Sequence, residues 1–240
     1  MIQGKEEVKN YYKNTNISHP YINERFSNPL GKLMHLKQVA IVNKYVRNQN
    51  VLEIACGPGR ITKDVKLIRK GVAVDSSDEM LKIARRTLPH WSISKKDAFN
   101  LSIEDTFDVV FSFRFLRHFE NDDRKRLYKE IHNVLKPNGI LIFDAVNFKK
   151  SYYVRKRKGL KHYKVYDKLY LKKELFKELK ENGFKIIKLV PLLNHLYTTT
   201  IISKITNKLN LQKMGLRMIQ NLEKIPSSTP LEWIVICKKE

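Results

Sequence analysis

Residues 51–60 read VLEIACGPGR, and this stretch decides the fold. Val51 to Ala55 is an apolar run carrying one acid, Glu53, and it predicts a buried strand that ends in the turn Cys56-Gly57-Pro58-Gly59. Glycine in such a turn lets the backbone approach a ligand closely, and a helix beginning just beyond it offers free N–H groups. Gly71 to Val74 predicts the next strand, with Asp75 at its tip, 16 residues beyond Gly59. A carboxylate there can accept both hydroxyls of a ribose. Ser76, with Glu79 three residues on, predicts a capping box that opens a helix to about Leu88, stopped by Pro89.

The alternation continues downstream. Trp91 to Ser94 and Phe107 to Ser112 read as strands, Asp122 to Leu135 as a helix, Lys136 to Gly139 as a turn, and Ile140 to Phe143 as a fifth strand. Strands alternating with helices predict an α/β fold around a mostly parallel sheet. Upstream, Pro29 opens a helix to about Val46, with Leu33, Leu36, Ala40 and Val46 as its apolar face. Residues 148–170 show no clean period. A helix over Lys172 to Asn182 stops at Gly183, and Phe184 to Val190 is a strand. Residues 196–222 read as helical, and Leu231 to Cys237 as the last strand. No repeat or flexible linker interrupts the chain. It reads as one domain over 1–240, with a lead segment at 1–28, a ligand-binding core at 29–145, a basic insert at 146–173, and C-terminal strands with a helical insert at 174–240.

Composition narrows the function. At 240 residues and 42% hydrophobic, the chain can bury a core without staples. Its longest apolar runs are too short to span a bilayer, and its N-terminus is charged where a signal peptide needs an apolar stretch, which predicts a cytoplasmic protein. Cys56 and Cys237 offer neither a disulfide framework nor zinc spacing, and no cluster of potential ligands implies a metal. The formal charge is +23, of which about +15 falls in residues 147–240. Such a field attracts nucleic acid, anionic lipid or anionic metabolites. Lys nevertheless outnumbers Arg 34 to 13, whereas phosphate recognition favours the guanidinium fork.

Two cofactor classes suit a strand, a glycine turn and a strand-tip acid. A nicotinamide site wants a third small residue where Thr62 stands. It also has no use for Glu53, because an acid repels a pyrophosphate; the same acid suits an ammonium or a sulfonium. Here the sequence resembles the class I S-adenosylmethionine-dependent methyltransferases, in particular their small-molecule, type-11-like branch. The resemblance is good over about residues 29–145 and looser beyond.

The resemblance implies a Rossmann-like, seven-stranded, mostly parallel sheet with an antiparallel last strand and helices on both faces. It also implies a cofactor, S-adenosylmethionine. By that likeness Glu53, Ala55, Gly57 and Gly59 surround the methionine moiety, Asp75 takes the ribose, and Ser76 and Met80 lie beside the adenosine. In KKDAFNL, Asp97 bonds the adenine amino group, flanked by Ala98 and Phe99. In FDVVFSFRFLRHF, Ser112 and Phe113 lie near the transferable methyl. Ala55 stands where the family usually has glycine. Segments like 1–28 fold over the cofactor as a lid in similar small-molecule enzymes, with Phe26 covering the sulfonium and Arg25, beside Tyr21, pairing with the carboxylate.

Methyl transfer from a sulfonium needs a general base only when the acceptor atom carries a proton. His118, in the loop after the fourth strand, is the candidate, ahead of His195; Arg114 and Arg117 flank the same loop. Cys56 reads as a packed thiol rather than a nucleophile. The acceptor class expected is a small molecule or a lipid-like metabolite. The basic, Tyr-rich run from Lys149 to Lys173 keeps RNA and an anionic membrane surface open as partners, and with them an RNA methyltransferase or an inert binding protein. Asn-Pro-Pro-Tyr, the signature of amino-group methylation on bases, is replaced by Ser112-Phe113-Arg114-Phe115. The oligomeric state is not legible.

Overall fold

β1 (Gln49–Ile54) lies at the centre of the sheet because Val51, Leu52 and Ile54 are apolar on both faces. A computed structural model describes residues 4, 6–8, 10, 26–159, 163 and 165–240. β1 pairs in parallel with β2 (Ile68–Asp75) on one side and with β4 (Phe107–Ser112) on the other. Beyond β2 comes β3 (Ser92–Lys95), and beyond β4 comes β5 (Leu135–Asn147), both parallel. β8 (Glu232–Lys239) runs antiparallel between β5 and β7 (Phe184–Leu192). The order is β3-β2-β1-β4-β5-β8-β7, the seven strands expected; a two-residue β6 (Leu169–Tyr170) also pairs with the end of β5. The strand order reverses between β1 and β4, and at such a switch point the carboxyl ends of parallel strands open a crevice for ligands.

Helices cover both faces. α1 (Pro29–Tyr45), α6 (Leu196–Lys208) and α7 (Gln212–Leu222) lie on one side, where Leu33, Val42 and Ile219 meet Val109, Phe111, Ile142 and Ile234. α3 (Asn121–Val134) and α5 (Lys172–Glu181) lie on the other, where Tyr128, Leu175 and Leu179 meet Val110, Phe143 and Val235. Adjacent residues of β4 and β8 thus enter opposite cores, as the period of a strand dictates.

Several expectations are corrected. The helix after Asp75, α2 (Asp78–Thr87), is capped by Ser77 rather than Ser76: Ser77 Oγ accepts the Met80 N–H, while Glu79 accepts from that hydroxyl. Lys136 to Gly139 is not a turn ahead of the fifth strand but an irregularity inside β5, where pairing steps from Phe107↔Leu135 to Val109↔Ile140. On α1, Leu36 and Ala40 face solvent, and Gln38 is buried in their stead by accepting a hydrogen bond from Arg60. The run after β5 contains a helix, α4 (Phe148–Lys158), and residues 196–222 form two helices. No described helix is long and apolar enough to cross a membrane.

Candidate active site

A cavity opens at the switch point, and the β1 turn forms its floor. Ala55 takes φ 57° and Gly57 φ 56°. Left-handed backbone costs an alanine about 1–2 kcal/mol, so Ala55 carries strain that the family's usual glycine avoids. Space is open where a Cβ on Gly57 would stand, so this backbone can touch a ligand. Gly59 is not among the lining residues, and a Cβ there would run into the Leu88 side chain.

Two acids flank the turn. Glu53 is buried, and its Oε2 has no hydrogen-bond partner among the described residues. Burial pushes its carboxyl well above the usual range; Arg60 opposes the shift and Asp75 adds to it. Asp75 accepts the Gly57 N–H at 2.8 Å and the Ser77 N–H at 2.9 Å. Burial raises its carboxyl too, and those backbone donors work against the rise. Cys56 is buried, and burial together with the charges of Glu53 and Asp75 pushes its thiol up, which suits packing rather than nucleophilic attack.

Ser76, Met80, Asp97, Ala98, Phe99 and Phe113 line the same cavity, together with Glu53, Ala55, Gly57, Asp75 and His118. Asp97 folds its loop by accepting the Phe99 N–H at 3.0 Å. Ser112 does not line the cavity: its hydroxyl donates to the Ile54 carbonyl at 2.7 Å, tying β4 to β1. Phe26 lies under the Arg60 guanidinium, 4.0 Å from the ring centre, and Arg60 lines the cavity. Arg25 and Tyr21 fall outside the described residues, as does most of the lead segment; Val8 is described, and it buries against Phe99 and Phe119.

Two aromatic residues of the lining, Phe115 and Phe119, are given no role by the sequence. Phe99, Phe115 and Phe119 meet edge to face, with centroids 5.1 and 5.0 Å apart, and they line the cavity with Val8 and Phe113. Beneath this wall lies a buried ion network. Arg117 Nη1 donates to Asp144 at 2.8 Å and to Glu232 at 2.9 Å, and its Nε lies 3.0 Å from Asp167. Arg155 reaches Asp167 at 2.5 Å. Asp144 also accepts the Arg114 backbone N–H, which holds the loop carrying His118. His118 Nδ1 lies 2.9 Å from the Tyr166 carbonyl and 3.0 Å from an Asp167 oxygen. Both are acceptors, so Nδ1 carries a proton, which puts any lone pair of the ring on Nε2. His195 is remote from this cavity; its ring bonds the Ile225 carbonyl.

Residues 51–139 match the family model of a methyltransferase domain. That match covers a little over a third of the chain, which over those residues is a methyltransferase domain. An uncharacterized methyltransferase of Oceanobacillus iheyensis is 29% identical over 112 residues, which are 45% of this chain and 53% of that protein. A demethylmenaquinone methyltransferase of Thermotoga maritima is 33% identical over 112 residues, 44% of this chain and 47% of that one. This chain therefore spans about half the length of the curated relatives it matches. The crystal structure of a magnesium protoporphyrin IX methyltransferase from Synechocystis, with bound SAH (S-adenosylhomocysteine), superposes with a TM-score of 0.66 at 12% identity, covering 97% of this chain and 98% of that one. That likeness is one of fold.

The methyltransferase cofactor fits the residues present. Glu53 offers a cation a buried carboxyl oxygen that no described residue hydrogen-bonds, and Gly57 a backbone without a side chain in the way.

Proposed function

We propose that this methyltransferase transfers the methyl group of S-adenosylmethionine to a small-molecule or lipid-like acceptor. The observation that carries the reading is that one cavity is lined both by buried carboxylates around an open glycine turn and by aromatic side chains with His118. An enclosed apolar wall suits an apolar metabolite. Two similar proteins carry acceptors in their names, demethylmenaquinone and magnesium protoporphyrin IX, and both are small organic molecules.

The cofactor supplies a methyl group already activated on a sulfonium. Glu53 would set negative charge against its cationic groups, and Asp75 would accept from its ribose. Phe113, Phe115 and Phe119 exclude water and orient the acceptor, which supplies much of the rate in a reaction between preactivated partners. His118 holds its Nδ1 proton on the Tyr166 carbonyl, and Nε2 takes the proton that an acceptor hydroxyl or amine releases.

Incubating the purified chain with methyl-labelled S-adenosylmethionine and an extract of its source cells should place label in the lipid or small-metabolite fraction. With the acceptor so identified, His118→Ala should lower kcat by about 10²–10⁴-fold and leave S-adenosylhomocysteine affinity unchanged. Label in RNA would overturn the acceptor class.

Glu53 makes the binding half separately testable. Its raised carboxyl keeps a proton to higher pH in the free protein. A cationic cofactor favours the ionised form, so at acid pH binding must expel that proton. Affinity for S-adenosylmethionine should therefore climb with pH, by up to about tenfold per unit, and level off above the raised pKa. Calorimetry across about pH 5 to 8 reads this slope. Glu53→Gln should bind more weakly and show a shallower slope, the remainder belonging to Asp75; an unchanged slope would remove Glu53 from the site.

A further inference from the structure

Helix α6 is built inside out. Its buried residues are Thr199, Ser203 and Thr206. The threonine hydroxyls donate one turn back, to the His195 carbonyl at 2.9 Å and the Ile202 carbonyl at 2.7 Å, and Ser203 Oγ accepts the Leu30 N–H of α1 at 3.3 Å. Leu196 and Ile202 also pack toward the core, but four apolar residues face outward. Tyr197, Ile201, Ile205 and the C-cap Leu209 are 45%, 57%, 53% and 60% exposed. Their four-residue spacing makes one stripe along the helix. α7 packs against α6 where Gly215 meets Thr206, and it adds exposed Met214 and Met218. Single exposed leucines are ordinary, whereas a contiguous apolar face marks a binding surface.

Charge identifies the occupant. Residues 196–222 hold Lys204, Lys208, Lys213 and Arg217 and no acid. The surface continues onto α4 through Tyr197, whose ring lies 4.6 Å from Lys150 Nζ and 5.9 Å from Arg157 Cζ. α4 carries six Lys and Arg, again with no acid, and exposes Tyr152 and Tyr153. Aliphatic side chains flanked by long cationic ones, with aromatics beside them, are the chemistry of a helix lying in a bilayer interface. Lys and Arg there are drawn to anionic headgroups. A second copy of this face would set cation against cation with no carboxylate to pair them. A nucleic-acid track centres on aromatics and Arg, whereas this one centres on Ile and Met.

We infer that α6, α7 and the outer face of α4 dock the protein on an anionic membrane, with Ile201, Ile205, Met214 and Met218 entering the acyl boundary. This surface is separate from the catalytic cavity and stands whether or not the acceptor is a lipid. The test is co-sedimentation of the full chain with phosphatidylcholine vesicles containing about one quarter phosphatidylglycerol. Binding should be salt-sensitive and at least about tenfold weaker to phosphatidylcholine alone. The double variant Ile201→Asp/Ile205→Asp, at exposed positions, should lose at least about tenfold of that binding while keeping the wild-type circular dichroism, melting temperature and S-adenosylhomocysteine affinity. Failure to bind the vesicles, or equal binding by the variant, would overturn the inference. So would a wild-type dimer or an RNA complex that the same two substitutions abolish in place of vesicle binding.

Discussion

Arg117→Met should destabilise the ligand-free protein by about 3–5 kcal/mol, the penalty for stripping a counter-ion from buried charges. One guanidinium, 5% exposed, serves three carboxylates from three parts of the chain: Asp144 in β5, Glu232 in β8 and Asp167 before β6. Methionine fills the volume and pairs with none of them. In a domain of this size the loss is a fall in melting temperature of roughly 6–20 °C.

The pH dependence has a definite sign. Burial opposes it, yet Arg117, His118 and Arg155 hold the Asp167 carboxyl well below the usual range. A depressed carboxyl contributes stability that is present above its unfolded pKa and lost as pH falls. The variant forfeits the Arg117 share from the outset, so it has less to lose on acidification. Burial and the nearby Asp144 already push Glu232 upward against Arg117, and without that arginine it takes a proton more readily. The gap between wild type and variant should therefore narrow as pH drops below about 4. Urea denaturation at neutral and acid pH reads both effects; a neutral-pH difference under about 1 kcal/mol would mean that the network contributes little.

That network explains what the sequence conceals. β1 to β5 are legible because Val51 to Ile54, Gly71 to Val74 and Phe107 to Ser112 carry local apolar patterns, and the Gly57 turn and Asp75 follow from the strand ends. Arg117 and Glu232 are 115 residues apart, and no spacing rule joins them. α4 shows no apolar period because its buried face is Ser151, Val154 and Arg155, the last held by Asp167 and the Tyr163 ring rather than by a core. α6 misleads in the opposite sense, since its apolar stripe faces solvent. The aromatic lining was also hidden: no local pattern joins Phe115 and Phe119 to Phe99, and only the short helical turn at Leu116–His118 sets the Phe119 ring between the other two. Ser76 and Ser77 are both plausible caps, and the choice is made by Asp75, which accepts the Ser77 N–H and leaves that hydroxyl to cap α2.

Asp75→Ala should weaken S-adenosylhomocysteine binding by at least about 100-fold. Two ribose hydroxyls donating to one carboxylate are charge-assisted bonds of about 1.5–3 kcal/mol each, and 2.8 kcal/mol is about a factor of 100. The ligand-induced rise in melting temperature, which scales with ligand concentration over Kd, should vanish at concentrations that saturate the wild type. The side chain also has a structural part, accepting the Gly57 and Ser77 N–H groups. Both donors sit beside the cavity, where water can replace the carboxylate, so the ligand-free melting point should fall little. Asp75→Asn keeps one acceptor oxygen and nearly the same shape, and should bind between the two. An alanine variant within about threefold of wild-type affinity would remove Asp75 from the cofactor site, because no arrangement with the ribose on this carboxylate survives its loss at so small a cost. The same variant should bind anionic vesicles as the wild type does, since α4, α6 and α7 make no use of the β2 tip; loss of both activities together would point to a damaged fold rather than to two separate surfaces.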